Sequence, residues 1–164
     1  MPVFQDAITS RIVRFLESIG LTVRSGELQS GTFLPGLQIE QGGLVIDESR
    51  LLYPGDLLHE AGHLAVLPAE QRSVQGPNAG DDGGNEIGAI CWSYAAAVHI
   101  GIDPAIVFHP HGYRGASEGF LENFGAGRYM GVPLLQWMGM TADERQAPLL
   151  GVEPYPHMLR WLRQ

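Results

Sequence analysis

Apolar and polar positions along the chain predict a helix followed by a small sheet. In residues 5–19 the apolar positions recur at helical spacing, and Gly20 ends this helix. Three short apolar segments follow, at 21–24, 33–39 and 44–47, and glycine-rich connectors separate them. These segments predict the strands of a small antiparallel or mixed sheet.

Two longer apolar segments predict buried helices in the middle of the chain. The first, 57–67, is apolar nearly all round and stops at Pro68, and Asp56 is the expected N-cap. Gly62 lowers the helix propensity of this segment by about 1 kcal/mol relative to Ala, so we expect another backbone to pack closely against it. The second helix covers 85–99 and ends near Gly101.

The remaining segments predict a loop and several short helices. Residues 68–84 form a long loop, of a length often found in functional lids. Glycines divide 104–140 into helical pieces, 141–144 resembles a capping box that opens a short helix, and 156–162 is expected to form a final helical turn or two. We therefore predict one α+β domain over residues 1–164.

Composition narrows the class of protein. The chain has 164 residues, 45% hydrophobic and 17% charged, which is typical of a folded globular domain. The net charge is −8 and all ten basic residues are arginine, which argues against nucleic acid or an anionic membrane as a partner. No signal peptide is evident and Cys91 is the sole cysteine, so we expect a cytoplasmic protein in which Cys91 is a small buried hydrophobe.

The segment from His59 to His63 carries the clearest chemical signal, because it reads His-Glu-Ala-Gly-His. Four residues advance a helix by about 400°, which places both imidazoles on one face, within reach of one metal ion. Zinc held by two imidazoles and a third protein ligand keeps a position for water and lowers the pKa of that water to about 7. Glu60 lies about 100° round the helix from His59, where it could take a proton from the water as a general base.

Glu86 is the leading candidate for the third ligand. It lies in the first turn of the second apolar helix, where a carboxylate needs a partner or the helix dipole to stabilise it. His99 is the first alternative, but it lies about 220° round that helix from Glu86 and is more simply a C-terminal-turn histidine. The pair His109 and His111, in a loop, is the second alternative.

Other residues are candidates for the rim of the site. One of His109, His111, Tyr113 and Arg114 could donate a hydrogen bond to the developing oxyanion, but for each residue singly an ordinary surface loop is the favoured interpretation. Asp81 and Asp82 could also reach a metal, but a solvated acidic loop is the better interpretation of these two residues.

With these residues in place, the chain resembles the gluzincin type of zincin metallopeptidase, and in particular the compact minigluzincins and ImmA/IrrE-like peptidases. The similarity covers roughly residues 30–100, which would form the metal-site core, with a helical part at 104–164. The resemblance implies a zincin-like fold, with a small sheet beside the motif helix and a second metal-bearing helix. It implies Zn²⁺ held by His59, His63 and Glu86, with Glu60 as general base. It also makes Leu44–Asp47 a candidate edge strand for holding an extended peptide.

We therefore expect a zinc-dependent hydrolase acting on a peptide or protein substrate. The sequence leaves the oligomeric state open. A chain of this size forms only a small substrate cleft, which a partner or a dimer would complete. Two alternatives also stay open: a zinc-stabilised binding or regulatory module without turnover, with His109 or His111 as a fourth ligand, and hydrolysis of a substrate other than a peptide.

Overall fold

The computed structural model describes residues 2–29, 31–78 and 83–164. Its strands are β1 (Val23–Ser25), β2 (Leu37–Glu40) and β3 (Gly43–Ile46). Its helices are α1 (Ala7–Ser18), α2 (Asp56–Ala65), α3 (Ala69–Arg72), α4 (Gly83–Ile100), α5 (Pro104–Val107), α6 (Ser117–Gly125), α7 (Val132–Trp137) and α8 (Ala147–Leu150), with a short 3₁₀ turn at Tyr113–Gly115 between α5 and α6. The predicted α+β class is confirmed.

The three strands form a mixed sheet in the order β1-β3-β2. Strand β3 pairs in parallel with β1 and antiparallel with β2, with Val45 opposite both Arg24 and Gln38. The prediction that Leu44–Asp47 forms an edge is therefore wrong. All four residues of β3 are buried, and a continuous apolar run of this kind is typical of a strand with neighbours on both sides.

Helix α1 covers the sheet and the central helices. The Asp6 carboxylate accepts a hydrogen bond from the Thr9 backbone N–H and caps the helix, and Ile12 and Leu16 are fully buried. Gly20 follows with a φ of 101°, which favours glycine and ends the helix as predicted. The predicted helix at 5–19 is confirmed with slightly shorter bounds.

Helices α2 and α4 lie side by side at the centre of the molecule. A Cβ atom at Gly62 would lie 2.8 Å from the Ala89 carbonyl oxygen, so the two backbones approach as closely as the sequence predicted. Cys91 and Trp92 of α4 are fully buried, in a core that extends from Phe4 to Met158. This contact fixes the spacing of the two helices that carry the candidate ligands.

The C-terminal segment is an irregular strap rather than the predicted helical turns. The Trp161 carbonyl accepts from the Trp92 indole N–H at 2.9 Å, and the Arg163 N–H donates to the Ala65 carbonyl at the end of α2. The Arg163 carbonyl in turn accepts from the Arg72 guanidinium at 2.9 Å. The last carbonyl groups of a helix have no hydrogen-bond partner within the helix. The C-terminal strap supplies donors to these groups at the end of α2.

One further local prediction is wrong for a related reason. Thr141 does not open a helix: it bridges to Met158, and its hydroxyl donates to the His157 carbonyl at 2.7 Å. Helix α8 begins only at Ala147. Pairing with the distant C-terminal strap outcompetes the local capping pattern.

Among the described residues, no helix combines the length and the apolar character needed to cross a membrane.

Candidate metal centre

One face of α2 carries four polar side chains. They are Asp56, His59, Glu60 and His63. Successive members are three, one and three positions apart, so all four lie along a single stripe of the helix. The rest of the helix is buried and apolar. The sequence analysis missed Asp56 as part of this stripe, although its spacing from His59 was visible. It predicted an N-cap there, whereas Gly55 is the N-cap and Asp56 lies inside the helix.

The two motif histidines meet the carboxylate of Glu86. Nε2 of His63 lies 2.7 Å from Glu86 Oε2, Nε2 of His59 lies 3.5 Å from Glu86 Oε1, and the two Nε2 atoms are 3.2 Å apart. Glu86 lies in the first turn of α4, as predicted, and its side chain is 36% exposed against 2% for His63. The site is therefore closed on the protein side and open beside Glu86.

The side chains on this face of α2 could hold a metal ion. His59, Glu60 and His63 offer ligand atoms that all lie within 4.8 Å of one another, so the group could hold a metal. Bonds of 2.0–2.1 Å in a tetrahedron place neighbouring ligand atoms about 3.3 Å apart, and the two Nε2 atoms are 3.2 Å apart. Two imidazoles and one carboxylate form the ligand set of catalytic zinc sites that keep one position for water.

The protonation states at the site also suit a metal. The pKa of His59 is lowered to about 4, chiefly by burial and then by the charge of His63, while the charge of Glu86 opposes both. The imidazole is therefore neutral at neutral pH, as a metal ligand must be. Burial acts to raise the pKa of Glu86, but the hydrogen bond and charges of the two histidines, with the Arg114 charge, outweigh it and the pKa is lowered.

Glu60 differs from Glu86 in its surroundings. The pKa of Glu60 is raised to about 7, chiefly by burial; the charge of His63 opposes this rise, and the negative charges of Asp56 and Glu86 add to it. A carboxyl group with a pKa near neutrality exchanges protons readily, which is the property that a general base or acid requires.

A buried contact between a carboxyl group and an imidazole lies one helical turn before His59. Nε2 of His109 is 2.7 Å from Asp56 Oδ1, and the His109 ring stacks on Tyr53 with centroids 4.1 Å apart. Asp56 Oδ2 and His109 Nδ1 are buried and have no hydrogen-bond partner among the residues that the structure describes. Burial raises the pKa of Asp56, and the hydrogen bond and charge of His109 oppose this rise. His109 is thus engaged inside the protein, not at the rim where it was predicted.

The other predicted rim residues occupy different positions. His111 is exposed, with its ring stacked on Tyr53 at 5.5 Å. The Tyr113 hydroxyl is 3.2 Å from His59 Nδ1, on the side of the imidazole away from Glu86. Arg114 is exposed and close enough to Glu86 to lower its pKa. Of the four, Arg114 presents an exposed cation beside the open side of the site.

Some sequence candidates lie outside this cluster. His99 is in the last turn of α4 as predicted, but its ring contacts Phe15 and Trp161, so the structure does not bring it to the other ligands. Asp81 and Asp82 fall outside the described residues.

Comparison with protein-family models, with curated proteins and with solved structures finds no match.

Proposed function

We propose that the protein is a zinc-dependent hydrolase, in which zinc is held by His59, His63 and Glu86. The convergence of two Nε2 atoms and one carboxylate, with a second carboxylate on the same helix face, supports this proposal. Zinc in such a site supplies a water of lowered pKa and polarises the scissile carbonyl. The zincin-like fold of the gluzincin type remains part of the proposal and rests on the motif and the helix pair.

The chain's own residues have separate roles in this reaction. The Glu60 carboxylate accepts a proton as the nucleophile forms and returns it to the leaving group. Arg114 is the side chain we assign to the developing negative charge, because it is the exposed cation beside Glu86. A peptide is the substrate we favour, and β2 is the edge strand that contacts α2 and can pair with an extended chain.

The geometry gives less support to a closed structural zinc site. Such a site needs a fourth protein ligand, for which His109 and His111 were the candidates. His109 Nε2 is bound to Asp56, and the exposed His111 stacks on Tyr53. Neither histidine approaches the pair of Nε2 atoms that meet Glu86. A site with one open position is the arrangement a hydrolase needs.

The proposal is tested by metal content and turnover measured on the same variants. Untagged protein purified without chelators should contain about one zinc per chain, and His63→Ala should lose it. Glu60→Gln should keep its zinc and lose hydrolysis of a peptide library. Wild-type protein that takes up no metal when zinc is supplied would overturn the proposal, and so would loss of zinc in Glu60→Gln. Hydrolysis of esters or of non-peptide amides, but not of peptides, would support a zinc-dependent hydrolase and contradict the peptide substrate.

A further inference from the structure

The segment that joins α5 to α6 folds tightly around His109. The Gly112 backbone N–H donates to the His109 carbonyl at 3.2 Å, and the Ser117 hydroxyl donates to the same carbonyl at 2.6 Å. A Cβ atom at Gly112 would lie 3.1 Å from the His109 ring, so the chain passes close to that ring. We call residues 109–117 the His109 loop.

Two side chains of the His109 loop contact helix α2 one helical turn apart. His109 Nε2 lies 2.7 Å from Asp56 Oδ1, and the Tyr113 hydroxyl lies 3.2 Å from His59 Nδ1. The rings of Tyr113 and His59 also meet edge to face, with centroids 5.0 Å apart. Asp56 has no role in the proposed reaction, so this contact with the loop is the function left for it in the polar stripe of α2.

The backbone of the loop adopts a conformation that non-glycine residues rarely occupy. Tyr113 has a φ of 57° and Arg114 a φ of 53°, both in the left-handed region. Strain of this kind persists only where the surrounding structure imposes it. The contact of His109 with Asp56 precedes the strained residues along the chain, and the hydrogen bond of Ser117 follows them. These two contacts hold the ends of the strained turn, so the turn depends on them.

Helix α5, immediately before the loop, is held on α2 by a different contact. The Ile106 carbonyl packs against Gly55, where a Cβ atom would overlap it. Loss of the contact between Asp56 and His109 should therefore loosen the loop and leave α5 in place.

We infer that Asp56 and His109 are positioning residues that hold the His109 loop on α2 and, through Tyr113, keep the His59 side chain in place in the candidate metal site. Residues outside the ligand set that orient metal-binding histidines raise metal affinity. The Asp56–His109 contact acts one step further from the metal, because it keeps Tyr113 against His59. The inference rests on the proposed function only for the statement that His59 binds zinc.

The test compares Asp56→Ala and His109→Ala, which break the contact, with Asp56→Asn, which keeps an oxygen acceptor at the same position. Two measurements use metal-free protein: hydrogen exchange of peptides that cover residues 109–117, and the rate at which diethyl pyrocarbonate modifies His59, located by mass spectrometry. The third is zinc affinity, by competition with a chromophoric chelator. Both alanine variants should exchange faster in the loop, react faster at His59 and bind zinc about 10-fold more weakly. Asp56→Asn should resemble wild type in all three measurements.

Ile12→Ala is the matched control. Ile12 is fully buried in α1, outside the His109 loop, and its truncation costs a stability comparable to the loss of a buried polar contact. This variant should keep the wild-type loop exchange, His59 reactivity and zinc affinity. Ser117→Ala is a milder variant for the case that an alanine variant fails to fold. It removes one hydrogen bond to the His109 carbonyl, and it should change the same three quantities to a smaller degree.

The outcomes separate this inference from the proposed function. Loop exchange or His59 reactivity that matches Ile12→Ala in the two alanine variants would overturn the inference. An Asp56→Asn variant as perturbed as Asp56→Ala would also overturn it, because the charge of Asp56 and not its contact with His109 would then act on the site. Wild-type protein that takes up no zinc would overturn the hydrolase proposal. The two metal-free measurements would still decide the role of Asp56 and His109.

Discussion

Gly62 of helix α2 lies against Ala89 of helix α4 so closely that a Cβ atom at Gly62 would be 2.8 Å from the Ala89 carbonyl oxygen and 3.1 Å from its Cα. His63 follows Gly62 in α2, and Glu86 lies one turn before Ala89 in α4. The closest approach of the two helices is therefore next to the place where their candidate ligands meet. A change in helix spacing at Gly62 would be transmitted directly to the site.

We predict that Gly62→Ala both destabilises the protein and weakens metal binding. The methyl group meets backbone atoms that cannot rotate away, so the helices must separate, at a cost of about 1–3 kcal/mol. Urea denaturation and zinc affinity measure the two effects. Gly119→Ala in α6 is the control, because its Cβ atom would meet nothing within 4 Å. That substitution should stabilise the protein by up to about 1 kcal/mol, as expected for alanine in an open helical position. Equal behaviour of the two variants would contradict the prediction.

The raised pKa of Glu60 predicts that the metal-free protein loses stability as pH rises. In the unfolded chain Glu60 releases its proton near its ordinary pKa of 4.5, whereas in the folded protein it keeps the proton until about 7. Between these values the folded state binds more protons, so the free energy of unfolding falls with rising pH, by roughly 3 kcal/mol in all. Below 4.5 this contribution is fully present, and above about 7 it is lost.

Glu60→Gln isolates this contribution because it cannot titrate. In the presence of a chelator, the stability of Glu60→Gln relative to wild type should rise as the pH increases from 4.5 to about 7. Urea denaturation at several pH values measures the difference, and the other titrating groups cancel from it. A difference that does not change with pH would show that Glu60 has an ordinary pKa in the folded protein.

The buried pair of Asp56 and His109 should show strong energetic coupling. Each side chain is at most 10% exposed, and removing one partner leaves the other buried without its ion-pair contact, which costs about 3–5 kcal/mol. The double variant Asp56→Ala/His109→Ala should cost much less than the sum of the single variants, with a coupling energy above about 1 kcal/mol. The exposed pair Arg24 and Glu40, at 2.8 Å, is the control and should couple by less than about 1 kcal/mol. Additive effects at Asp56 and His109 would contradict this prediction.

Arg72 should be needed to hold the C-terminal strap on α2. Its guanidinium donates to the Leu67 carbonyl at 3.0 Å and to the Arg163 carbonyl at 2.9 Å. Arg72→Met keeps the aliphatic stem and removes these donors, so we expect a loss of about 1–3 kcal/mol and faster hydrogen exchange at the Arg163 amide. Arg160→Met, at an exposed position, should change neither quantity measurably. Unchanged exchange at Arg163 in Arg72→Met would show that the strap is held by other contacts.

The sequence by itself determined the elements whose signal is local. The helical spacing of apolar residues predicted α1, α2 and α4 to within a few residues, and the spacing of His59 and His63 placed both imidazoles on one face. The propensity cost of Gly62 even indicated the close backbone contact that Ala89 supplies. These features depend on residues less than about one or two helical turns apart, so periodicity and propensity are sufficient to predict them.

The tertiary structure decided everything that joins distant segments. It made β3 the central strand, because register and neighbours in a sheet are set by pairing partners far along the chain. It placed Thr141 in a bridge to Met158 and residues 156–162 in irregular chain instead of the expected helices, because long-range hydrogen bonds outweigh a local capping preference. It also placed His109 on Asp56 and Tyr113 behind His59, contacts that span more than fifty residues and leave no periodic trace in the sequence.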